Sequence, residues 1–312
     1  MKMVNILKRT LKNNELTLMM YDQLKAFYFK YMITDEKLVK KRFKQRLGRE
    51  VNLKSPATFA DKQQWLKLNW YDPLATKCAD KYEVREIIKE KIGEEYLNEI
   101  IAIYESVNEI DIDKLPDKFV LKGTHGSGFN IICKDKSKMN WDEEFKKMRR
   151  WLRTNYYLQN REWVYKDQKP RIICEKFLAE DDEINNLTDY KFFCFSGRPF
   201  YCQVIRGRGE NETIDFYDLD WNHMPFNGLR KFPMSTNKFD KPKEYEKMIE
   251  LATNLAEGFP FVRVDFYYVK EEIIFGELTF FPLSGIGEFT PDEWNYKIGQ
   301  LIDLPVKAKE HV

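Results

Sequence analysis

Residues 117–133, DKFVLKGTHGSGFNIIC, restrict the fold of this chain more than any other stretch. Phe119-Val120-Leu121 is an apolar run with a β-branched member, and it ends in Lys122. Gly123, Gly126 and Gly128 follow, and then a second apolar run, Asn130-Ile131-Ile132-Cys133. The pattern predicts strand, glycine-rich turn, strand. Glycine tolerates positive φ and lets main-chain N–H groups approach a ligand closely. The turn, with Ser127 inside it and Lys122 beside it, is therefore a candidate phosphate cradle. An ordinary hairpin turn fits the same residues. The Gly-Lys-Ser/Thr ending of a Walker A loop is absent and no helical pattern follows, which argues against both a P-loop and a dinucleotide fingerprint.

The chain has 312 residues, enough for a sizeable core and two or three lobes. Charged residues make up 33% of it, yet the formal net charge is only +2, which gives no case for generic nucleic-acid binding. Aromatics reach 15%, and many of the 23 Phe must be buried. The N-terminal segment has no sustained apolar h-region, and no stretch approaches the length of a membrane span. Cys78, Cys133, Cys174, Cys194 and Cys202 are widely spaced and form no Cys-x-x-Cys pair, as expected of buried thiols in a reducing compartment. A cytoplasmic protein follows, with a place for it at the inner face of the cell membrane.

Helices are predicted near 3–29 and 34–47 and over 58–68, 79–92, 141–153 and 242–256. The basic, aromatic segment 21–32, YDQLKAFYFKYM, is read first as packing on the body and second as touching a membrane surface or a partner. Asp72-Pro73 reads as a break, and residues 94–107 as a further apolar stretch. Strands are predicted at 171–178, 189–195, 199–205, 261–269 and 272–281, with Gly197 turning a tight hairpin. Segment 206–240 reads as one long polar loop and 284–291 as a glycine-containing tail loop.

Charged residues inside the apolar strands carry the chemistry. Arg263 and Asp265 are two apart and share a strand face; Glu277 and Thr279 do the same in the next strand. Buried acids are costly unless paired or bound to metal. Asp265 and Glu277, with Thr279 adding an oxygen or orienting a water, are candidate Mg²⁺ ligands. Arg263 is a candidate partner for phosphate or for charge on a transferred group. A structural Arg–Asp or Arg–Glu pair accounts for the same residues. Glu175-Lys176-Phe177-Leu178 stands at a strand end, where main-chain groups can meet an adenine edge and apolar side chains its faces. Lys191, on one face with Asp189, reaches a phosphate or carboxylate, or forms a surface ion pair. His125 is a candidate phosphate ligand or proton shuttle, or shapes the loop. Arg206 and Arg208 are candidates for an acidic acceptor. Asp218-Leu219-Asp220 is a short Asp-x-Asp pattern of the kind that holds metal in glycosyltransferases.

In combination these blocks resemble the TupA-like ATP-grasp family of bacterial cell-surface polysaccharide biosynthesis proteins. The matching blocks are DPLATKCADKYEVR (72–85), FVLKGTHGSGFNIICKDK (119–136), KPRIICEKFL (169–178), LTDYKFFCFSGRPF (187–200), IDFYDLDW (214–221), FPFVRVDFY (259–267) and FGELTFFP (275–282), over roughly residues 50–305. The resemblance implies an α+β ATP-grasp fold with two α+β lobes and a helical N-terminal region. The corresponding units are 1–70 helical, 71–170 the first lobe with the glycine-rich loop, 171–305 the second lobe with adenine hinge and metal site, and 306–312 a tail.

The resemblance also implies ATP and Mg²⁺ as cofactors. It makes Lys81 and Lys122 nucleotide ligands, Glu175 and the backbone of Lys176–Leu178 the adenine hinge, Lys191 a pocket charge, Arg263 a phosphate contact, and Asp265 and Glu277 the metal ligands. The last acidic strand departs from the family's Glu-x-Asn, reading Glu277-Leu278-Thr279. The implied activity is carboxylate–amine ligation through an acyl phosphate, on an acidic sugar or polysaccharide precursor and an amino acid, with no nucleic acid and with room for a membrane or biosynthetic complex. A glycosyltransferase of capsule or lipopolysaccharide synthesis and a noncatalytic nucleotide-binding scaffold are the alternatives.

Overall fold

A computed structural model describes residues 15–178, 187–207, 211–237 and 239–306. Three helices open the described chain: α1 (Glu15–Tyr31), α2 (Asp35–Leu47) and α3 (Phe59–Asn69). Thr34 and Thr58 cap α2 and α3 by accepting main-chain N–H bonds, and Gly48 ends α2 in the left-handed region. The part of the expected first helix before residue 15 lies outside the described residues.

Asp72-Pro73 starts a helix instead of breaking one. Asp72 accepts from the Leu74 N–H, and Pro73 holds the first position of α4 (Pro73–Ala79), where its missing N–H costs nothing. The helix expected over 79–92 is accordingly shorter, α5 (Val84–Lys91). The apolar stretch after it yields β1 (Ile100–Tyr104), as its β-branched residues favour.

The central block folds as the expected hairpin, β2 (Phe119–Gly123) and β3 (Asn130–Cys133). With β1 and β4 (Ile172–Lys176) it makes an antiparallel sheet in the order β1-β4-β2-β3. The strand expected to open the second lobe therefore belongs to this first sheet, and the chain leaves the sheet only after Lys176. Helix α6 (Trp141–Arg153) covers one face, burying Met148 against Phe119, Leu121 and Cys174. The short α7 (Tyr157–Asn160) follows.

The second sheet is also antiparallel, in the order β10-β9-β5-β6-β7. Its members are β5 (Thr188–Phe195), β6 (Arg198–Arg206), β7 (Thr213–Tyr217), β9 (Phe261–Val269) and β10 (Glu272–Thr279). Ser196 and Gly197, both with positive φ, make the two-residue turn between β5 and β6. The supposed long loop 206–240 contains β7 and the two-residue β8 (Asn227–Gly228), too short to show an alternation in sequence. Helix α8 (Tyr245–Ala256) buries Met248, Leu251 and Leu255 on one face of this sheet. β11 (Phe289–Thr290) and α9 (Glu293–Gln300) close the described chain and were not foreseen. Phe59, Phe193, Phe216, Phe226, Phe261 and Phe289 stack edge to face through the core at this end. All five cysteines are free and buried. Among the described residues no helix is long and apolar enough to cross a membrane.

Candidate active site

The two sheets face one another across a cleft of about 600 Å³. From the second sheet, Asp189 and Lys191 on β5, Gln203 on β6, Arg263, Asp265 and Tyr267 on β9 and Glu277 and Thr279 on β10 all line it. Strand alternation explains most of this face. Glu277 is the exception. Phe275 pairs with Phe266 and Glu277 with Asp265, so Gly276 is an extra residue, a β-bulge. Without it, Glu277 would share a face with the buried Phe275; with it, Glu277 turns to the side of Asp265. A Cβ on Gly276 would lie 3.0 Å from the Asp265 carbonyl oxygen, which is why the bulge residue has none.

These side chains form one ionic cluster. The Arg263 guanidinium donates to both Asp265 oxygens, at 2.7 and 2.6 Å, and its Nη2 lies 3.5 Å from Glu277 Oε1 and 3.1 Å from Thr279 Oγ1. Lys191 donates to Asp265 and lies 3.1 Å from Asp189. Thr279 donates to Glu277 Oε1 at 3.2 Å. Burial opposes ionisation of Glu277, but Lys81, Lys191 and Arg263 outweigh it and hold its carboxyl at about 2. Burial likewise works against the charge on Arg263, and Asp265 reverses that, raising its pKa.

From the opposite wall come Lys81, Lys122, Ser127 and Gly128. Lys122 pairs with Glu175 at 2.6 Å, and Lys81 donates to the Gly126 carbonyl at 2.6 Å, pinning the glycine turn. The three glycines differ in purpose. Gly128 has φ +76 with open space around it, and it faces the cleft. Gly123 and Gly126 do not line it: a Cβ at either would strike Phe129 or Tyr156 at 2.8–2.9 Å, and the Gly123 N–H is spent on the Phe129 carbonyl. They are packing glycines, leaving Ser127 and Gly128 as the part of the turn that meets a ligand.

A small notch of about 10 Å³ continues the cleft past Lys81 and Lys122 to Arg85, Leu97, Glu175 and Phe275. It has room for about one water, so a purine enters only if β10 and the first sheet draw apart. The expected hinge needs one correction. The Lys176 N–H is bonded to the Glu99 carbonyl and its own carbonyl accepts from Asn98 Nδ2, while its side chain points to Glu99. The Lys176 N–H is therefore not free to meet an adenine edge, and of the expected hinge the main-chain N–H groups of Phe177 and Leu178 are left as the candidate donors.

His125 is not brought to the cleft. It is 2% exposed, its Nε2–H donates to the Trp151 carbonyl at 2.8 Å, and burial lowers its pKa. It ties the turn to α6. Replacing His125 with Gln is expected to leave turnover intact while costing about 1–3 kcal/mol of stability, read by urea unfolding. The folded pKa lies below the ordinary 6.5, so the unfolded imidazole takes up a proton that the folded one does not. Wild-type stability should thus fall as pH drops below 6.5, and the variant should lack that component.

Arg206 also stands apart, stacked on Phe239 with 3.6 Å to the ring centroid, and Arg208 lies outside the described residues. Asp218 is spent on a turn, accepting the Asp220 and Asn222 N–H groups, so the Asp-x-Asp pattern is structural.

Two arginines absent from the sequence reading, Arg46 on α2 and Arg230 after β8, do line the cleft. So do Pro282, Leu283 and Ser284 of the turn Pro282–Gly285, which runs into the expected tail loop 284–291. Leu283, Ser284 and Gly285 are successively left-handed, at φ 50°, 56° and 63°. Such strain persists only where neighbours impose it. Lys67 and Gln64 donate to the Ser284 and Gly285 carbonyls at 2.7 Å each, and Ser284 Oγ accepts from Asn160 and donates to Glu162.

Six cationic side chains and four carboxylates line the cleft, a surplus of positive charge suited to a polyphosphate. Among the described residues no three His, Cys, Asp or Glu gather as a metal cluster. Two carboxylates and a hydroxyl converge instead. That donor set suits Mg²⁺, a hard cation that completes its shell with water and substrate phosphate. Asp265, Glu277 and Thr279 would hold it.

A family model described as TupA-like ATP-grasp matches residues 61–303. Among solved structures, the chain is similar to D-alanine–D-alanine ligase from Bacillus anthracis complexed with ATP, at 15% identity and TM-score 0.38, covering 67% of this chain and 56% of that one. It is similar to phosphoribosylamine–glycine ligase from Thermotoga maritima at 15% and 0.40, covering 66% and 48%. For L-amino acid ligase from Bacillus licheniformis the values are 12% and 0.37, covering 70% and 47%. The chain spans about half the length of these proteins. No curated protein matches the sequence.

Proposed function

The chain belongs to the TupA-like ATP-grasp family, and from that premise we propose that it is an ATP- and Mg²⁺-dependent carboxylate–amine ligase. One observation carries the reading. A single cleft holds Lys81, Lys122 and the glycine turn on one wall and Arg263, Lys191, Asp265, Glu277 and Thr279 on the other. The substrate carboxylate attacks the γ-phosphorus of ATP, forming an acyl phosphate and releasing ADP. An amine then adds to the acyl carbon and phosphate leaves, with loss of one proton, giving the amide. Lys81, Lys122, Lys191 and Arg263 neutralise the phosphates and the charge that builds on the transferred group. When bound, Mg²⁺ supplies further charge neutralisation on the phosphate oxygens. Ser127 and Gly128 cover the phosphates and keep water from the labile intermediate.

The carboxylate partner is assigned to an acidic sugar of a cell-surface polysaccharide precursor and the amine to an amino acid. Arg46 and Arg230 support an anionic acceptor, since both line the cleft and neither belongs to the cluster around Asp265. Arg230 is half exposed and only loosely paired with Glu212, at 3.5 Å, so it is available to a substrate. Arg230→Ala should raise the acceptor KM about tenfold or more, the worth of a charge-assisted contact, with the ATP KM unchanged. Equal loss of both constants would count against this role.

The test of the reaction itself uses a panel of uronate-bearing sugars with ¹⁸O-labelled carboxyl groups, offered with ATP and mixed amino acids. One labelled oxygen should appear in the released phosphate together with a new amide. Phosphate that takes its oxygen from water alone, across the panel, or sugar transfer without ATP, would overturn the ligase reading.

A further inference from the structure

Helix α1 carries a face that the other described residues leave uncovered. Met20, Leu24, Phe27, Tyr28 and Tyr31 are 48–69% exposed. At helical spacing they fall within an arc of roughly 100°, a continuous apolar and aromatic stripe. Lys25 and Lys30 flank this stripe, one on each side. The opposite side of α1 is fastened down. Asp22 accepts two bonds from Arg150, at 2.8 and 3.0 Å, and the Phe29 carbonyl accepts from the buried Arg161. The stripe therefore faces away from the protein.

Charge singles out the same region. Residues 1–50 contain thirteen Lys and Arg against five Asp and Glu, whereas the remaining residues contain thirty-nine against forty-five. A nearly neutral chain has thus gathered its positive surplus into the sequence segment that contains this exposed aromatic helix, and its described part, 15–50, still holds nine Lys and Arg against five Asp and Glu. Two copies meeting face to face through α1 would bring two such surpluses together and repel. A surface that is negative and accepts aromatic side chains at its boundary suits this face better. Tyr and Phe favour the headgroup–acyl boundary, lysines at the rim extend their ammonium groups to the headgroups, and a basic segment is drawn to anionic lipid.

We propose that α1, with the basic segment around it, docks the protein flat on an anionic lipid bilayer. The helix lies in the interface with the stripe from Met20 to Tyr31 turned to the acyl chains.

Flotation of the full chain with vesicles tests this. Phosphatidylcholine vesicles containing one-third phosphatidylglycerol should bind the protein about tenfold or more tightly than phosphatidylcholine alone, and added salt should weaken the binding. The triple variant Leu24→Gln, Phe27→Gln, Tyr31→Gln should lose most of that binding. These residues are exposed, so its thermal unfolding should match wild type. If that variant fails to fold, Lys25→Glu with Lys30→Glu serves in its place, again with lost flotation expected. Equal flotation of wild type and variants, absence of binding to either vesicle, or a dimer in solution that the triple variant abolishes would each overturn the proposal.

Discussion

Glu277→Gln is expected to lower the rate of ADP release at saturating acceptor by about 10²- to 10³-fold, the scale set by removing one preorganised charge at a reacting phosphate. Its urea midpoint should fall modestly at neutral pH, because the charge that Lys81, Lys191 and Arg263 hold is lost, while water screens a side chain that is 38% exposed and its contacts to Arg263 and Thr279 both fall on Oε1. Gln keeps the shape and an oxygen, and removes only the charge. The charge is maintained by Lys81, Lys191 and Arg263 against burial, so the carboxyl titrates near 2 instead of near 4.5. A carboxyl depressed on folding contributes stability above its unfolded pKa and loses it as pH falls from about 4.5 towards 2. Glu277 is therefore ionised throughout the neutral range, and the acid limb of the rate profile should not be its own. A drop in rate that tracks a drop in stability would mean that Glu277 is structural.

Asp265→Asn has the largest expected effect on folding. Asp265 is 3% exposed, accepts two bonds from Arg263, and also pairs with Lys191. Removing one partner of a buried pair leaves the other charge uncompensated. The expected loss is about 3 kcal/mol, at the low end for such a break, because Asp189 and Glu277 remain to share the two cations. Urea unfolding of the single variant and of Asp265→Asn with Arg263→Met separates the two costs. The double variant should recover part of the loss, since it no longer strands the guanidinium. A loss below about 1 kcal/mol, the range of exposed pairs, would show that the cluster is hydrated and loose.

The strand–turn–strand block, the β5–β6 hairpin and the acidic pair were legible because each rests on a local rule: glycine punctuation, alternation, and the cost of an acid in an apolar strand. What sequence hid is equally specific. Period two alone puts Phe275 and Glu277 on one face, and only the bulge at Gly276 parts them. Gly123 and Gly126 look like a ligand cradle, yet they are small to admit Phe129 and Tyr156, neighbours that become visible only in three dimensions. His125 looks catalytic in a glycine loop until α6 places Trp151 beside it. Arg46 and Arg230 enter the cleft from elements with no sequence link to it, and the strained Leu283–Gly285 turn depends on partners more than 120 residues away, as the 217 residues between Lys67 and Ser284 illustrate. Asp72-Pro73 reads as a break because the same dipeptide can end one element and cap the next, and here it caps.

On the proposed function the cleft takes a magnesium-loaded triphosphate, with Asp265 and Glu277 of adjacent strands holding the ion. Calorimetric titration of ATP into the wild-type protein, with Mg²⁺ and with a chelator in its place, tests it directly, and Glu277→Gln serves as the control. Tight binding that requires Mg²⁺ is expected of the wild type, and loss of that requirement of the variant. Binding of equal strength in all cases, or no binding of ATP to the wild type with Mg²⁺ present, would contradict it.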